Sequence, residues 1–177
     1  MVKNIEFPKC VVFDLDYTLW PLWIDTHVTA PFKPSKNDPG VLIDKYGTEI
    51  CFYSDITGIL QELRNQKVTL CVASRTCAPK YAKQALNLMK VPIDGSLKPA
   101  IEFFTYVKAW PGSKMDHFKE IHNESGIDYR EMVFFDDESR NREVERLGVT
   151  FCLVPDGLNR ASFEQGINKW RKLKKTH

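Results

Sequence analysis

Asp14 and Asp16 stand one residue apart, directly after the apolar run Cys10 to Phe13, and Thr18 follows two positions later. Asp136 and Asp137 end a second apolar run, Met132 to Phe135. Ser74 and Arg75 end a third, Val68 to Ala73. Lys114 comes just after the turn Trp110-Pro111-Gly112. Taken singly, an aspartate at a strand end is usually a turn former or a helix cap, and a lone lysine is usually solvated. The coincidence of D-x-D-x-T, Ser, Lys and Asp-Asp, most of them behind an apolar run, is what points to chemistry.

Hard carboxylate oxygens without a His or Cys cluster suit Mg²⁺ better than Zn²⁺. Mg²⁺ takes one or two carboxylates and leaves positions for water and phosphate oxygens, and Asp14 with Asp136 can supply the two. Ser74, Lys114 and the backbone N–H groups after Asp14 can hold the remaining phosphate oxygens. Phosphoryl transfer asks for little beyond in-line positioning and cancellation of oxygen charge. A carboxylate nucleophile can form an acyl phosphate that water then cleaves. A second carboxylate two residues on can protonate the leaving oxygen and then deprotonate the water. Asp137 reads as an outer support or a cap, Asn141 as an orienter of a metal ligand or a helix-start residue, and Arg75 as a phosphate clamp or a surface ion pair.

These groups must be delivered by a scaffold. Cys10 to Phe13 reads as a strand buried on both faces. A stretch with Pro21, Pro31, Pro34 and Pro39 cannot form a long helix. Inside it, Val41 to Ile43 and Glu49 to Tyr53 flank Asp44-Lys45-Tyr46-Gly47 as a β-hairpin. A helix capped by Ser54 or Asp55 buries Ile56, Ile59, Leu60 and Leu63. Val68 to Ala73 is a strand, and Pro79 opens a helix with Tyr81, Ala82, Ala85, Leu86 and Met89 on its buried face. Ile101 to Val107 reads as a strand, and Ser113 caps a helix carrying Met115, Phe118 and Ile121. Met132 to Phe135 is a strand, Asn141 to Leu147 a short helix, Thr150 to Val154 the last strand, and a helix starts near Asn159. Strands alternating with helices predict an α/β, doubly wound, mainly parallel sheet of Rossmann-like type. Its ligand site lies beyond the carboxyl ends of the strands. One domain over 1–177 is expected, with 21–53 as a loop and hairpin insertion.

Composition narrows the class. The chain has 177 residues with 43% hydrophobic and 27% charged, ordinary for a globular protein. A net charge of +2 gives no sign of a nucleic-acid partner. The basic run Lys169, Arg171, Lys172, Lys174, Lys175 reads as a solvated helix end. The start lacks a signal peptide, and no apolar run approaches the length of a membrane span. Five cysteines without C-x-x-C pairing argue against a disulfide framework or a zinc ribbon. Cys10, Cys71 and Cys152 are expected to be buried, in a reducing cytoplasmic or nuclear compartment. No heptad or long apolar edge suggests a dimer, so a monomer is expected.

Phe13-Asp14-Leu15-Asp16-Tyr17-Thr18, Ser74, Lys114 and Asp136-Asp137 resemble the four motifs of the haloacid dehalogenase superfamily. VFDLDYTLWPLWIDTHV, ASRT, PGSK and FFDDESRN are similar to the magnesium-dependent phosphatase-1 family, described as acting on phosphotyrosine and on sugar phosphates. The resemblance implies Asp14 as nucleophile and Asp16 as general acid and base. It implies Mg²⁺ on the Asp14 side chain, the Asp16 carbonyl and Asp136. It implies phosphate on Ser74, Lys114 and the amides near Leu15 and Asp16, with Arg75 at the mouth. Thr18, Asp137 and Asn141 are expected to support these groups from behind.

Many members of the superfamily carry a cap domain. Between Asp14 and Ser74, once the core helix is set aside, only about 35 residues remain, fewer than the ~50 of a small domain. A capless, open cleft is therefore expected, able to admit phosphotyrosine on a protein. The alternative is a sugar phosphate of the glycated-amine 6-phosphate type. Trp20, Trp23 and His27 are candidates to line its mouth, with loop packing as the other reading. A cysteine phosphatase is excluded: the residues six places after the cysteines are Asp16, Thr57, Cys77, Lys83 and Leu158, never Arg. A receiver-type domain or a non-catalytic phosphate-binding module would share the fold, but D-x-D after the first strand and the intact Lys and Asp set argue against both.

Overall fold

The computed structural model describes residues 6–176. In chain order they form β1 (Cys10–Phe13), β2 (Lys33–Pro34), β3 (Leu42–Ile43), β4 (Glu49–Ile50), α1 (Ile56–Asn65), β5 (Thr69–Ser74) and α2 (Pro79–Leu88). Then come β6 (Lys90–Ile93), β7 (Ser96–Pro99), β8 (Tyr106–Ala109), α3 (Lys114–Ser125), β9 (Met132–Asp136), β10 (Thr150–Leu153) and α4 (Arg160–Lys174). Short 3-10 helices cover Ala100–Phe103, Tyr129–Glu131 and Ser139–Leu147.

Five strands build one parallel sheet in the order β10-β9-β1-β5-β8. The chain leaves β1 toward β5 and β8 on one side, then returns to β9 and β10 on the other, which is the doubly wound pattern. The order reverses between β1 and β9, and such a switch point opens a crevice at the carboxyl ends of the strands.

Strand alternation sorts the core. Val11 and Phe13 face one side, where Val72, Val133 and Phe135 join Ile59 and Leu63 of α1, Leu86 of α2 and Phe163 and Ile167 of α4. Cys10 and Val12 face the other, with Cys71, Phe134, Phe151 and Phe118 and Ile121 of α3. Each fully buried Phe or Ile contributes roughly 1.5–3 kcal/mol, so both faces of β1 are anchored and the position of its last residue is rigidly set.

Several local expectations are corrected. Asp55 stands at the N-cap of α1 without a side-chain bond to that helix. Its Oδ2 accepts instead from the Arg160 N–H at 2.9 Å, at the start of α4. Tyr81 is 38% exposed, packing edge-on against Phe32 rather than entering the core. The run Ile101 to Val107 is not one strand: a 3-10 helix ends at Phe103, and β8 begins at Tyr106. The antiparallel hairpin β6–β7 was not anticipated. The expected hairpin is present as β3–β4, with β2 added as a third antiparallel strand. Among the described residues, that small sheet and one isolated bridge, Asp16–Trp20, are the secondary structure between β1 and α1, and no separate cap domain forms there.

The basic end of α4 is exposed at Lys172, Lys174 and Lys175, as expected, with two of its lysines also paired. Lys169 donates to the Phe151 carbonyl at 2.6 Å, and Lys174 lies 2.6 Å from Glu6 and 3.0 Å from Glu131. All five cysteines are free thiols, with Cys10, Cys71 and Cys152 buried. No helix among the described residues is long and apolar enough to cross a membrane.

Candidate active site

The carboxyl ends of β1, β5 and β9 and the N-terminus of α3 meet at one cleft of about 300 Å³. Its lining includes Asp14, Asp16, Ser74, Arg75, Lys114, Asp137 and Asn141. β1 and β9 are neighbours, and the Asp14 N–H donates to the Phe135 carbonyl at 3.0 Å. That bond ties the first aspartate to the strand that carries the third.

The chain then turns sharply. The Leu15 carbonyl accepts from Thr18 and Leu19 N–H at 3.1 and 2.8 Å, and Tyr17 adopts φ of 53°, the left-handed region. Few non-glycine residues occupy that region. With Leu15 driven into the core, Asp14 and Asp16 are left on the cleft side.

Lys114 is fully buried, the opposite of a solvated surface lysine. Its ammonium donates to Asp14 Oδ1 at 2.7 Å and to the Ala73 carbonyl at 2.5 Å, and lies 3.1 Å from Asp136 Oδ2. Burial opposes the lysine charge, but Asp14 and Asp136 outweigh it and hold its pKa above the ordinary value. Burial pushes the Asp14 carboxyl up to about 8, against the pull of Lys114 and with the repulsion of Asp136. One ammonium faces two carboxylates here, an imbalance that favours a further cation at the site.

Asp136 is held from every side. Its Oδ1 accepts from the Glu138 N–H at 2.7 Å and its Oδ2 from Asn141 Nδ2 at 2.8 Å. Asn141 Oδ1 in turn accepts from Arg75 at 3.2 Å, so the orienting role expected for Asn141 has a geometric basis. Thr18 is buried and its hydroxyl lies 3.5 Å from Asp137 Oδ1.

Carboxylate oxygens of Asp14, Asp136 and Asp137 lie within 4.8 Å of one another. This all-oxygen donor set fits Mg²⁺. Asp137, expected only as an outer support, thus comes within reach of a cation. The Asp16 carboxylate is engaged elsewhere: its Oδ1 accepts from the Trp20 indole N–H at 2.7 Å and the Ile24 N–H at 3.1 Å. Burial pushes its pKa up to about 6 against those two bonds. Burial also raises Asp137 to about 6, with Asp136 and Glu138 adding repulsion.

The three mouth candidates separate. Trp20 is completely buried, stacked on Phe52, and belongs to the packing beneath Asp16. Trp23 is 47% exposed and lines the cleft. His27 does not line it; its ring stacks on Trp23 at 5.0 Å and its Nδ1 accepts from the Trp23 N–H. Asp25, Thr26, Thr76, Glu138 and Arg140 also line the cleft and were not foreseen. Their closeness in sequence to Trp23, Ser74 and Asp137 was the available signal. Glu143 was missed as well: its Oε1 accepts from the Ser113 hydroxyl at 2.7 Å and the Lys114 N–H at 3.1 Å. No spacing rule announces that contact, which joins segments 29 residues apart.

A family model described as acid phosphatase matches residues 6–173. The chain belongs to the acid phosphatase family. It is 94% identical over 165 residues to a HAD-like hydrolase superfamily protein of Schizosaccharomyces pombe, covering 92% of this chain and 96% of that protein. It is 37% identical over 168 residues to the magnesium-dependent phosphatase 1 of Homo sapiens, covering 94% of this chain and 89% of that protein. The fold is similar to a HAD family enzyme of Bacteroides thetaiotaomicron, with a TM-score of 0.62 over 90% of this chain and 99% of that one. At 14% identity, that last likeness concerns fold alone. The haloacid dehalogenase resemblance read from the motifs is therefore correct.

Proposed function

We propose that this chain is a Mg²⁺-dependent phosphomonoester hydrolase working through an aspartyl phosphate on Asp14, acting on phosphotyrosine in proteins. The observation that carries the reading is the buried Lys114 ammonium, held between Asp14 and Asp136 at the floor of an open cleft. Lys114 thus joins Asp14, which lines the cleft, to Asp136, which lies fully buried behind it.

The Asp14 carboxylate attacks phosphorus in line with the leaving oxygen. The P–O bond to the leaving group breaks as the Asp14–phosphorus bond forms. Asp16, raised to about 6, carries a proton often enough near neutrality to give it to the leaving oxygen. A water then attacks the phosphoaspartate, its proton passes to Asp16, and Asp14 is released. Lys114, the Ser74 hydroxyl and the amides after Asp14 bind phosphate oxygens whose charge is spread in the transition state. Mg²⁺ held by Asp14, Asp136 and the Asp16 carbonyl, with Asp137 in reach, supplies charge neutralisation on those oxygens when bound. Asn141 keeps Asp136 oriented.

The uncapped cleft supports a substrate that projects from a larger surface, and Trp23 offers a face for an aromatic ring. A sugar phosphate is the second reading, favoured by Asp25, Thr26 and Glu138 around the rim, which can accept bonds from hydroxyls. The test is hydrolysis of an aryl phosphate by wild type and Asp14→Asn, each with Mg²⁺ and with EDTA. Turnover that needs Mg²⁺ and vanishes in Asp14→Asn is expected. Equal turnover by the two proteins refutes Asp14 as nucleophile, and failure of wild type across aryl and sugar phosphates refutes the hydrolase reading.

A further inference from the structure

His117 is fully buried one turn after Lys114 on α3, yet it does not line the cleft. Residues three apart share a helix face, so the two side chains reach the same target. Lys114 Nζ lies 2.5 Å from the Ala73 carbonyl, and His117 Nε2 lies 3.0 Å from the Ser74 carbonyl. These are consecutive carbonyls at the carboxyl end of β5. The same Nε2 lies 3.1 Å from the Trp110 carbonyl, and the Trp110 ring stacks on the imidazole at 4.2 Å and 11°. One side chain therefore gathers the end of β5, the turn before α3 and α3 itself.

Both ring nitrogens face carbonyl oxygens, and the larger number at Nε2 places an N–H there first. Nε2 faces two carbonyls, while Nδ1 faces one, that of Ser113 at 2.9 Å. The Ser113 carbonyl already receives the Asp116 N–H at 3.2 Å, and the Ser74 carbonyl the Trp110 N–H at 3.1 Å. Burial holds the imidazole pKa below the usual histidine value, and Lys114 adds to that, against the pull of the three carbonyls. An N–H on Nε2 serves both carbonyls. Across a planar trans peptide, a Ser74 carbonyl held toward α3 sends the Arg75 N–H the opposite way, away from α3.

We propose that His117 is a positioning residue for phosphoryl transfer, fixing the junction of β5 and α3 so that Ser74 and Lys114 meet the same phosphate. The inference rests on the phosphatase reading and extends it to a residue that touches no substrate. Glu143 secures the other side of the junction through Ser113 and the Lys114 N–H, so loss of His117 leaves α3 folded but without its imidazole tie to the end of β5.

The test compares His117→Gln, which keeps a donor, with His117→Met, which fills similar volume without one, on an aryl phosphate with Mg²⁺. A misplacement near 1 Å can cost about 10²-fold in rate. His117→Met should lose on that order in kcat with KM changed far less, and His117→Gln should recover most of it. Equal kcat in the two variants, or a folded His117→Met within about twofold of wild type, overturns the proposal. A second readout needs no turnover: nitrogen-15 NMR of the wild type should show a ring protonated at Nε2 in slow exchange with water. A ring protonated only at Nδ1 overturns the clamp even if the enzyme is active. If the wild type hydrolyses no phosphate ester, the phosphatase reading fails, while the NMR result still judges the clamp.

Discussion

Replacing Lys114 by Met removes an ammonium and keeps most of its volume, so the cost is electrostatic rather than a cavity. At an effective dielectric near 20, a unit pair at 2.7 Å attracts by about 6 kcal/mol and one at 3.1 Å by about 5 kcal/mol. Most of this offsets the desolvation of the lysine, and truncating one partner of a buried pair costs roughly 3–5 kcal/mol in practice. For a chain of this size that is a fall of about 6–20 °C in Tm. The orphaned carboxylates then need another cation. Mg²⁺ at a hundred times its dissociation constant stabilises a single-site protein by about 2.7 kcal/mol, and the variant should bind it more tightly than wild type. Thermal melts of both proteins in EDTA and in saturating Mg²⁺ are the assay. The gap in Tm should be widest in EDTA and should shrink in Mg²⁺. A loss under about 1 kcal/mol, or a gap of equal size in both buffers, would refute the idea that Lys114 balances the charge of a cation site.

Because Asp14 is pushed up to about 8, Mg²⁺ binding should release a proton below that pH. Affinity measured by calorimetry should therefore rise from pH 6 to pH 9, and a flat profile would contradict the protonated metal-free state. In the metal-free fold the same shift means the folded state holds a proton that the unfolded carboxyl has lost, so its contribution falls as pH climbs from about 4 to 8. Melts in EDTA over that range report it, and a contribution that rises instead would reverse the sign. Trp23→Ala should raise KM for an aryl phosphate by about 3–10-fold, from the roughly 0.5–1.5 kcal/mol of an aromatic contact. The same variant should leave acetyl phosphate nearly unchanged, and equal effects on both substrates would rule out ring recognition. Gly157→Ala should destabilise without touching chemistry: φ is +84° and a Cβ would collide with the Tyr53 ring. A loss of about 2–4 kcal/mol by denaturant melting is expected, and a neutral result would mean the Tyr53 ring yields easily.

The order of chemical groups was written in the sequence. Asp14, Ser74 and Asp136 each close an apolar strand, so hydrophobic runs alone assigned them to one rim. Turn chemistry was equally available for one feature that was missed. Asp94-Gly95 is a two-residue link with both φ positive, at 51° and 80°, the usual hairpin signal, but Pro92 inside the strand obscured it. Other features had no local signature. Trp20 and Trp23 share a loop and a residue type, yet one is sealed against Phe52 and the other faces the cleft. Lys108 pairs with Glu124 near the surface while Lys114 is fully buried, though each follows a stretch with aromatic residues. Asp137 and Glu143 gained their roles from partners far along the chain. Periodicity records which face of an element is apolar, and that is a local property. Which polar side chain is enclosed, and by which charge, depends on contacts between distant segments that only the folded sheet brings together.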